Sequence, residues 1–269
     1  MTHADLSRNL MLRVFPIPAF RDNYIWTLTA SGSRYAAIVD PGDALPVIRA
    51  LDAQHLEPSA ILITHHHGDH VGGIQSLLRR YPALPVFGPR NEGIAGVTHY
   101  LAQGDEVSVP GINAKFSVLE VPGHTLDHIA YYGHGMLFCG DTVFSVGCGR
   151  LFEGSAEQMH DSLSRIAALP PDTLVYCAHE YTLDNIGFAK WVEPENVDLR
   201  QREAQAFVLI DQDRPTVPST LALELRTNPF LRSQVPSVVQ AAERYVGREL
   251  PSASAVFAAI RRWKDEEYD

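Results

Sequence analysis

The chain is poor in cysteine, has no long apolar run and carries no surplus of positive charge, and each shortage removes a class of function. Its 269 residues include only Cys139, Cys148 and Cys177, with no Cys-x-x-Cys pair. A disulfide framework is therefore not expected, and the three read as small buried hydrophobes of a reducing compartment. No apolar run approaches the roughly 20 residues of a bilayer span, and the opening "MTHADLSRNLMLRV" lacks the apolar core of a signal peptide. The expectation is a cytoplasmic protein without a membrane partner. With 22 Lys and Arg against 32 Asp and Glu, the net charge of −10 argues against nucleic acid, whose binding needs clustered cations. It also disfavours an anionic small substrate unless basic residues gather locally. No internal repeat or low-complexity tract is present.

What is there is ample core material, 45% hydrophobic residues, enough for one large or two modest domains. Segments rich in β-branched and aromatic residues, bounded by Gly, Pro or Asp, fill the first two thirds: "RVFPIPAF", "NYIWTLTA", "RYAAIVDPG", "AILITH", "LPVFGP", "AKFSVLEVPGH", "HIAYYGHGMLFCGD" and "TLVYCAHEYT". Helical patterns fall between them, over residues 43–54, 69–80 and 155–169. This interleaving predicts a layered α/β domain. From Leu183 onward the periodicity is helical, with no convincing strand, so a small helical domain is expected to close the chain.

The stretch "ILITHHHGDHVGG", Ile61 to Gly73, crowds four histidines and an aspartate behind an apolar run. Ile61 to Ile63 read as a buried strand. Gly68, Gly72 and Gly73 are expected to turn the backbone sharply into a helix. The cluster thus falls on a strand-to-helix loop, beyond the carboxyl end of a strand, where sites of open α/β sheets form. His65, His67 and Asp69 alternate while Asp69 and His70 are adjacent, a spacing that can aim two ligands at one point and two at another. A tag or solvated tract would sit at a terminus or in a polar linker. Three later strand ends repeat one grammar, an apolar strand, a small residue or two, then a ligand-type side chain: His124 after "LEVPG", Asp141 after "MLFCG" and His179 after "LVYCA". His66, His128 and His134 read as structural or solvated, and His3, His55, His99 and His160 have no supporting context.

Together "THHHGDH", "PGHT", "GDT" and "HEYT" resemble the metallo-β-lactamase superfamily. With "PIPAFRDNYIW", "GCGRLFEGS", "HEYTLDN" and "NPFLR" in order, the chain resembles, over nearly its whole length, the glyoxalase II (hydroxyacylglutathione hydrolase) family. The resemblance implies an αββα sandwich over residues 11–182 and a helical substrate-binding domain over 183–269. Family members tend to begin near Met11, so residues 1–10 are expected to be a disordered extension. By motif position His65, His67, His124 and Asp141 would bind one metal, and Asp69, His70, Asp141 and His179 a second. Imidazole and carboxylate suit zinc, with iron or manganese as the other choices. Glutathione contacts would fall at Arg150, Phe152, Tyr181, Arg261 and Lys264, gathering three cations into the local basic patch that the overall charge demands. Two departures stand out: Phe152 replaces the Tyr of some members, and Leu126 and Asp127 follow "PGHT" where a Gly usually precedes the next His.

The implied reaction is hydrolysis of S-D-lactoylglutathione, or another S-2-hydroxyacylglutathione, to D-lactate and glutathione by a monomeric enzyme. A metal-bridging hydroxide would attack the thioester carbonyl, with Asp141 bridging the ions and Asp69 orienting the nucleophile. The rival readings are a single-iron glutathione persulfide dioxygenase and an inactive binding module on the same fold. A β-lactamase or lactonase would have no need of the C-terminal basic helix.

Overall fold

The computed structural model describes residues 11–268 except 92. The extension expected over residues 1–10, and His3 with it, lies outside the described residues. Two six-stranded sheets stack face to face. The first runs β1 (Leu12–Ala19), β2 (Asn23–Ala30), β3 (Tyr35–Val39), β4 (Glu57–Leu62), β5 (Val86–Pro89) and β6 (His99–Leu101) in sequence order. The second takes β7 (Glu106–Val109), β8 (Ala114–Glu120), β9 (Ile129–Gly133) and β10 (Met136–Gly140), then β13 (Leu174–Cys177) and β14 (Ser219–Thr220), in the order β14-β13-β10-β9-β8-β7. A two-stranded arm, β11 (Val143–Phe144) and β12 (Gly147–Cys148), projects between β10 and β13 in sequence.

Both faces of the first sheet are covered, which explains the unbroken apolar run at Ile61 to Ile63. Leu62 joins Trp26, Phe116 and Phe138 between the sheets. Ile61 and Ile63 pack outward on Val47, Leu51, Ile74 and Leu77. Those outer residues belong to α1 (Ala44–Gln54) and α3 (Ile74–Arg80), with the short α2 (Gly68–Val71) between. The helix expected over 69–80 is therefore two. Gly72 and Gly73 between them have ordinary φ values of −58° and −81°, so sharp turning is not their role. Close approach is: a Cβ on Gly72 would lie 2.6 Å from Gly42 O, and one on Gly73 would strike Pro41 O.

The second sheet is backed by α4 (Ala156–Ala167), whose Met159, Leu163 and Ile166 enter the same core. The remaining helices are α5 (Thr182–Val192), α6 (Val197–Asp211), α7 (Leu221–Thr227), α8 (Pro236–Val246) and α9 (Ala253–Trp263), followed by a π-helical turn over Lys264–Tyr268. Two readings need correction. The segment "HIAYYGHGMLFCGD" is a hairpin of two strands, because His134 (φ 54°) and Gly135 (φ 71°) turn the chain. The helical part also contributes a strand, since β14 adds two residues to the edge of β13. A two-residue strand carries no readable period.

Candidate metal centre

The seven candidate ligands come from four points of the sandwich and converge. His65, His67, Asp69 and His70 follow β4, His124 follows β8, Asp141 follows β10 and His179 follows β13. His67 Nδ1 lies 3.1 Å from His65 Nε2 and 3.0 Å from His124 Nε2. Asp69 Oδ2 lies 3.4 Å from both His70 Nε2 and His179 Nε2. Asp141 faces both groups: Oδ2 is 3.5 Å from His124 Nε2 and 3.4 Å from His179 Nε2, while Oδ1 is 3.4 Å from His70 Nε2. His65, His67 and His124 form one set able to hold a metal ion, and Asp69, His70 and His179 another.

The far side of three of the rings is tied to an oxygen. His124 Nδ1 donates to Arg150 O at 2.7 Å, His179 Nδ1 to Asp22 Oδ1 at 2.8 Å and His70 Nδ1 to Asp40 Oδ2 at 3.1 Å. Asp40 also accepts from Thr64 N and Oγ1, at 2.8 and 2.7 Å. Such bonds fix each tautomer and aim Nε2 inward. Neither Asp22 nor Asp40 was among the candidates. Asp40 ends the strand "YAAIV" as Asp141 ends "MLFCG", so the same strand-end rule could have found it. Asp22 sits in a turn with no such signal.

The two sets differ in charge. Burial pushes His65, His67 and His124 below the usual imidazole range. Burial likewise lowers His128, to about 3. Around the carboxylates the balance reverses. Burial opposes ionisation of Asp69, but the His179 and His70 rings, each 3.4 Å from its carboxylate, hold it well below the carboxylate range. Burial also opposes charge on His70 and His179, yet Asp141 raises His70 far above its usual range and His179 to about 10. One set is thus neutral and the other rich in paired charge. His70 Nε2 and Asp141 Oδ1 are buried with no hydrogen-bond partner. Three imidazole nitrogens about one point and a carboxylate shared by both sets form a donor set for divalent metal.

Two of the histidines set aside, His128 and His66, are structural. His128 stacks on His65 at 4.6 Å and its Nε2 accepts from Asp141 N at 3.1 Å. His66 bridges Asp127 at 3.0 Å and Glu153 at 3.2 Å, and Asn91 Nδ2 donates to Asp127 at 2.8 Å. The unusual Asp127 therefore braces the ligand loop. A cavity of about 860 Å³ is walled by His67, Asp69, His124, Asp141 and His179, and also by Arg150, Phe152, Tyr181, Arg261 and Lys264. The three cations do meet, but acidic neighbours temper them. Asp265 Oδ1 accepts from Arg150 Nε at 3.1 Å and Arg261 Nη2 at 2.9 Å, and Asp184 from Lys264 Nζ at 3.5 Å. Tyr181 stacks on His179 at 4.7 Å, and Phe152 lies 5.4 Å from His67.

The family model described as "Metallo-beta-lactamase superfamily" matches residues 23–179, and that described as "Hydroxyacylglutathione hydrolase C-terminus" matches 180–267. The "Hydroxyacylglutathione hydrolase" of Nitrosomonas eutropha is 54% identical, over 95% of this chain and 99% of that protein. The chain belongs to the hydroxyacylglutathione hydrolase family. The Alkalilimnicola ehrlichii member is also 54% identical, over 95% of this chain and all 100% of its own. Among solved structures, ETHE1 from Myxococcus xanthus superposes with a TM-score of 0.62 at 25% identity, over 93% of this chain and 96% of its own. A di-iron-bound form of TTHA1623 gives 0.58 at 26% identity, over 81% and 100%. The fold is thus the metallo-β-lactamase sandwich followed by the family's helical domain. Among the described residues no helix is long and apolar enough to cross a membrane.

Proposed function

We propose that this chain hydrolyses S-2-hydroxyacylglutathione thioesters, S-D-lactoylglutathione foremost, to a 2-hydroxy acid and glutathione. One observation carries the reading: a single cavity sets Asp141, His124 and His179 beside Arg150, Arg261 and Lys264, a metal-ligand set next to cations able to pair with a substrate's carboxylates. We assign His65, His67, His124 and Asp141 to one ion, and Asp69, His70, Asp141 and His179 to the other. Zinc is the expected metal, and the same donors serve iron or manganese. Bound there, divalent ions would supply Lewis acidity toward a carbonyl and would lower the pKa of a coordinated water.

The chain's own groups do the rest. Asp69 is steadied by Asn23 Nδ2 at 2.9 Å and orients the attacking water. Asp141, held ionised and touching both sets, balances charge between them. Arg150, Arg261 and Lys264 bind the glutathione carboxylates, while Phe152 and Tyr181 flank the chain of the tripeptide. Burial pushes the Tyr181 phenol above its ordinary value, so it serves as a hydrogen-bond donor. The departing thiolate, with a free pKa near ~8.5, leaves without a strong general acid. Residues 11–182 form the catalytic domain on this reading and 183–269 the substrate-binding one, in a cytoplasmic enzyme.

The test pairs thioester hydrolysis with elemental analysis of the same preparation. About two metals per chain are expected. The Arg261→Ala, Lys264→Ala double variant should raise KM for the glutathione thioester about tenfold or more, since charge-assisted bonds used equally in ground and transition state act on KM. A small thioester without carboxylates should be hydrolysed as before. One metal per chain, with persulfide oxidation in place of thioester cleavage, would establish the single-iron rival.

A further inference from the structure

The tip of the β11–β12 arm is strained and is bonded from the helical domain. Val146 has φ 61°, a conformation that is an outlier for a β-branched residue. Its side chain is fully buried against Ile186, Ala189, Leu199 and Ala206 of α5 and α6. Four polar side chains from beyond Thr182 then satisfy the turn. Asn185 Nδ2 donates to Ser145 O at 3.1 Å, and Arg202 Nη2 to Ser145 Oγ at 3.0 Å. Glu224 Oε2 accepts from Val146 N at 2.7 Å. Asn228 Nδ2 donates to Phe144 O at 3.1 Å and Gly147 O at 2.8 Å. All four of these side chains are buried, Glu224 and Asn228 completely. Buried polar groups are costly unless bonded, and each of these four side chains makes at least one bond to this turn, while Arg202 Nη2 also donates to Thr216 O at 2.7 Å and Asn228 Nδ2 to Glu224 Oε2 at 3.2 Å.

The arm leads directly to the cavity. The Phe144 ring lies 5.2 Å from Tyr181 and 5.7 Å from His179. Beyond β12, Arg150 lines the cavity with its side chain and accepts from His124 with its carbonyl. We propose that Asn185, Arg202, Glu224 and Asn228 are positioning residues, a clamp from the helical domain that holds this strained turn and thereby sets Phe144, Tyr181 and Arg150 for the substrate. What the clamp positions rests on the hydrolase reading above; that it orders the arm does not. Asp141, at the arm's base, is fixed separately by His128 on its N–H and by His70, His124 and His179 around its carboxylate. Losing the clamp should therefore weaken substrate binding and leave the ligand set in place.

Three variants test this on the full chain. Asn228→Asp keeps the shape and removes the two bonds donated to the turn, with the one to Glu224, Glu224→Ala removes the acceptor, and Glu224→Gln keeps an acceptor while removing the charge. In the first two, KM for S-D-lactoylglutathione should rise about tenfold with kcat changed less than about threefold. Metal content should stay at the wild-type level. Amide exchange across residues 142–150 should quicken by about tenfold or more. Glu224→Gln should recover most of the KM loss, although its Tm stays low because Arg202 loses a neighbouring carboxylate. The proposal falls if exchange and KM are unchanged in Asn228→Asp and Glu224→Ala, or if KM merely tracks Tm across all three. Should Glu224→Ala fail to fold, Asn185→Asp makes the same comparison through Ser145 O. If the wild-type protein leaves the thioester intact, the hydrolase reading fails, and exchange over residues 142–150 decides the clamp alone.

Discussion

The ligand loop after β4 and the β11–β12 arm reach the same cavity and are anchored by opposite means. The loop is held within its own domain by charge-assisted bonds: Asp40 takes Thr64 and His70, and His66 takes Asp127 and Glu153. The arm is held from another domain by the amides of Asn185 and Asn228, the Arg202 guanidinium, the Glu224 carboxylate and the seat of Val146 among helices. Charge near the metal centre is thus governed locally, and the shape of the substrate wall is governed by domain packing. Damage to the loop should appear in metal affinity and kcat, and damage to the arm in KM.

The sharpest way to break that division is Asp141→Asn, because Asp141 belongs to both regions: its carboxylate touches the ligands and its chain opens the arm. Loss of the charge facing both sets should cost kcat/KM about 10³-fold, as removal of a central electrostatic group does. Metal content, read by elemental analysis, should fall with it. Retention of both metals with normal turnover would remove Asp141 from the shared position. Next come Asp40→Asn and Asp22→Asn, which keep the shape behind His70 and His179 and lose the charge. Partners of this kind are worth about 10- to 100-fold in metal affinity. Chelator competition should show that loss with KM nearly constant; a change in KM alone would contradict the division.

The smallest effect belongs to Glu193→Gln, which lies wholly in the helical domain. Glu193 takes two bonds from Arg232, at 2.8 and 3.0 Å, and one from Ser237 at 2.6 Å. Burial alone would raise its pKa, but those bonds outweigh it and hold the carboxyl below its usual range. A depressed folded pKa adds stability above the unfolded value of about 4.3, and that stability is lost as pH falls through the folded value. Urea unfolding should find the variant less stable at neutral pH and the gap narrowing below about pH 4. Hydrolysis by the folded variant should be unaltered, and an equal gap at both pH values would discard the ion pair as its cause.

The same physical division governs what could be read in advance. Each metal-ligand candidate stands at the end of an apolar strand, where a short pattern reports both the element and the residue, and all seven converge. Asp40, after "YAAIV", obeys the same rule, and its carboxylate holds His70 from behind instead of facing the cluster. Asp22, Arg150 O and the bonds to residues 144–147 leave no mark, because turn residues and carbonyls take their meaning from what folding brings near. The split of the expected helix at Gly72 was hidden for a similar reason: those glycines answer to Pro41 and Gly42, some thirty residues earlier. The hairpin at His134 and Gly135, by contrast, is legible in "GHG", which separates two apolar runs and supplies the turn.

The origin of the turn's partners also sets an order of assembly. Asn228 lies 84 residues beyond Phe144, and Glu224 78 beyond Val146. A nascent chain that has emerged as far as Glu180 already carries every metal-ligand candidate and the greater part of both sheets. Its arm still lacks the side chains that satisfy its backbone and the helices that receive Val146. Domains fold as units during synthesis, the N-terminal one first, and contacts this remote in sequence close slowly. The cluster of metal-ligand candidates can therefore gather while the ribosome is still adding helices, and the cavity wall that includes the arm takes shape only when the last third of the chain arrives.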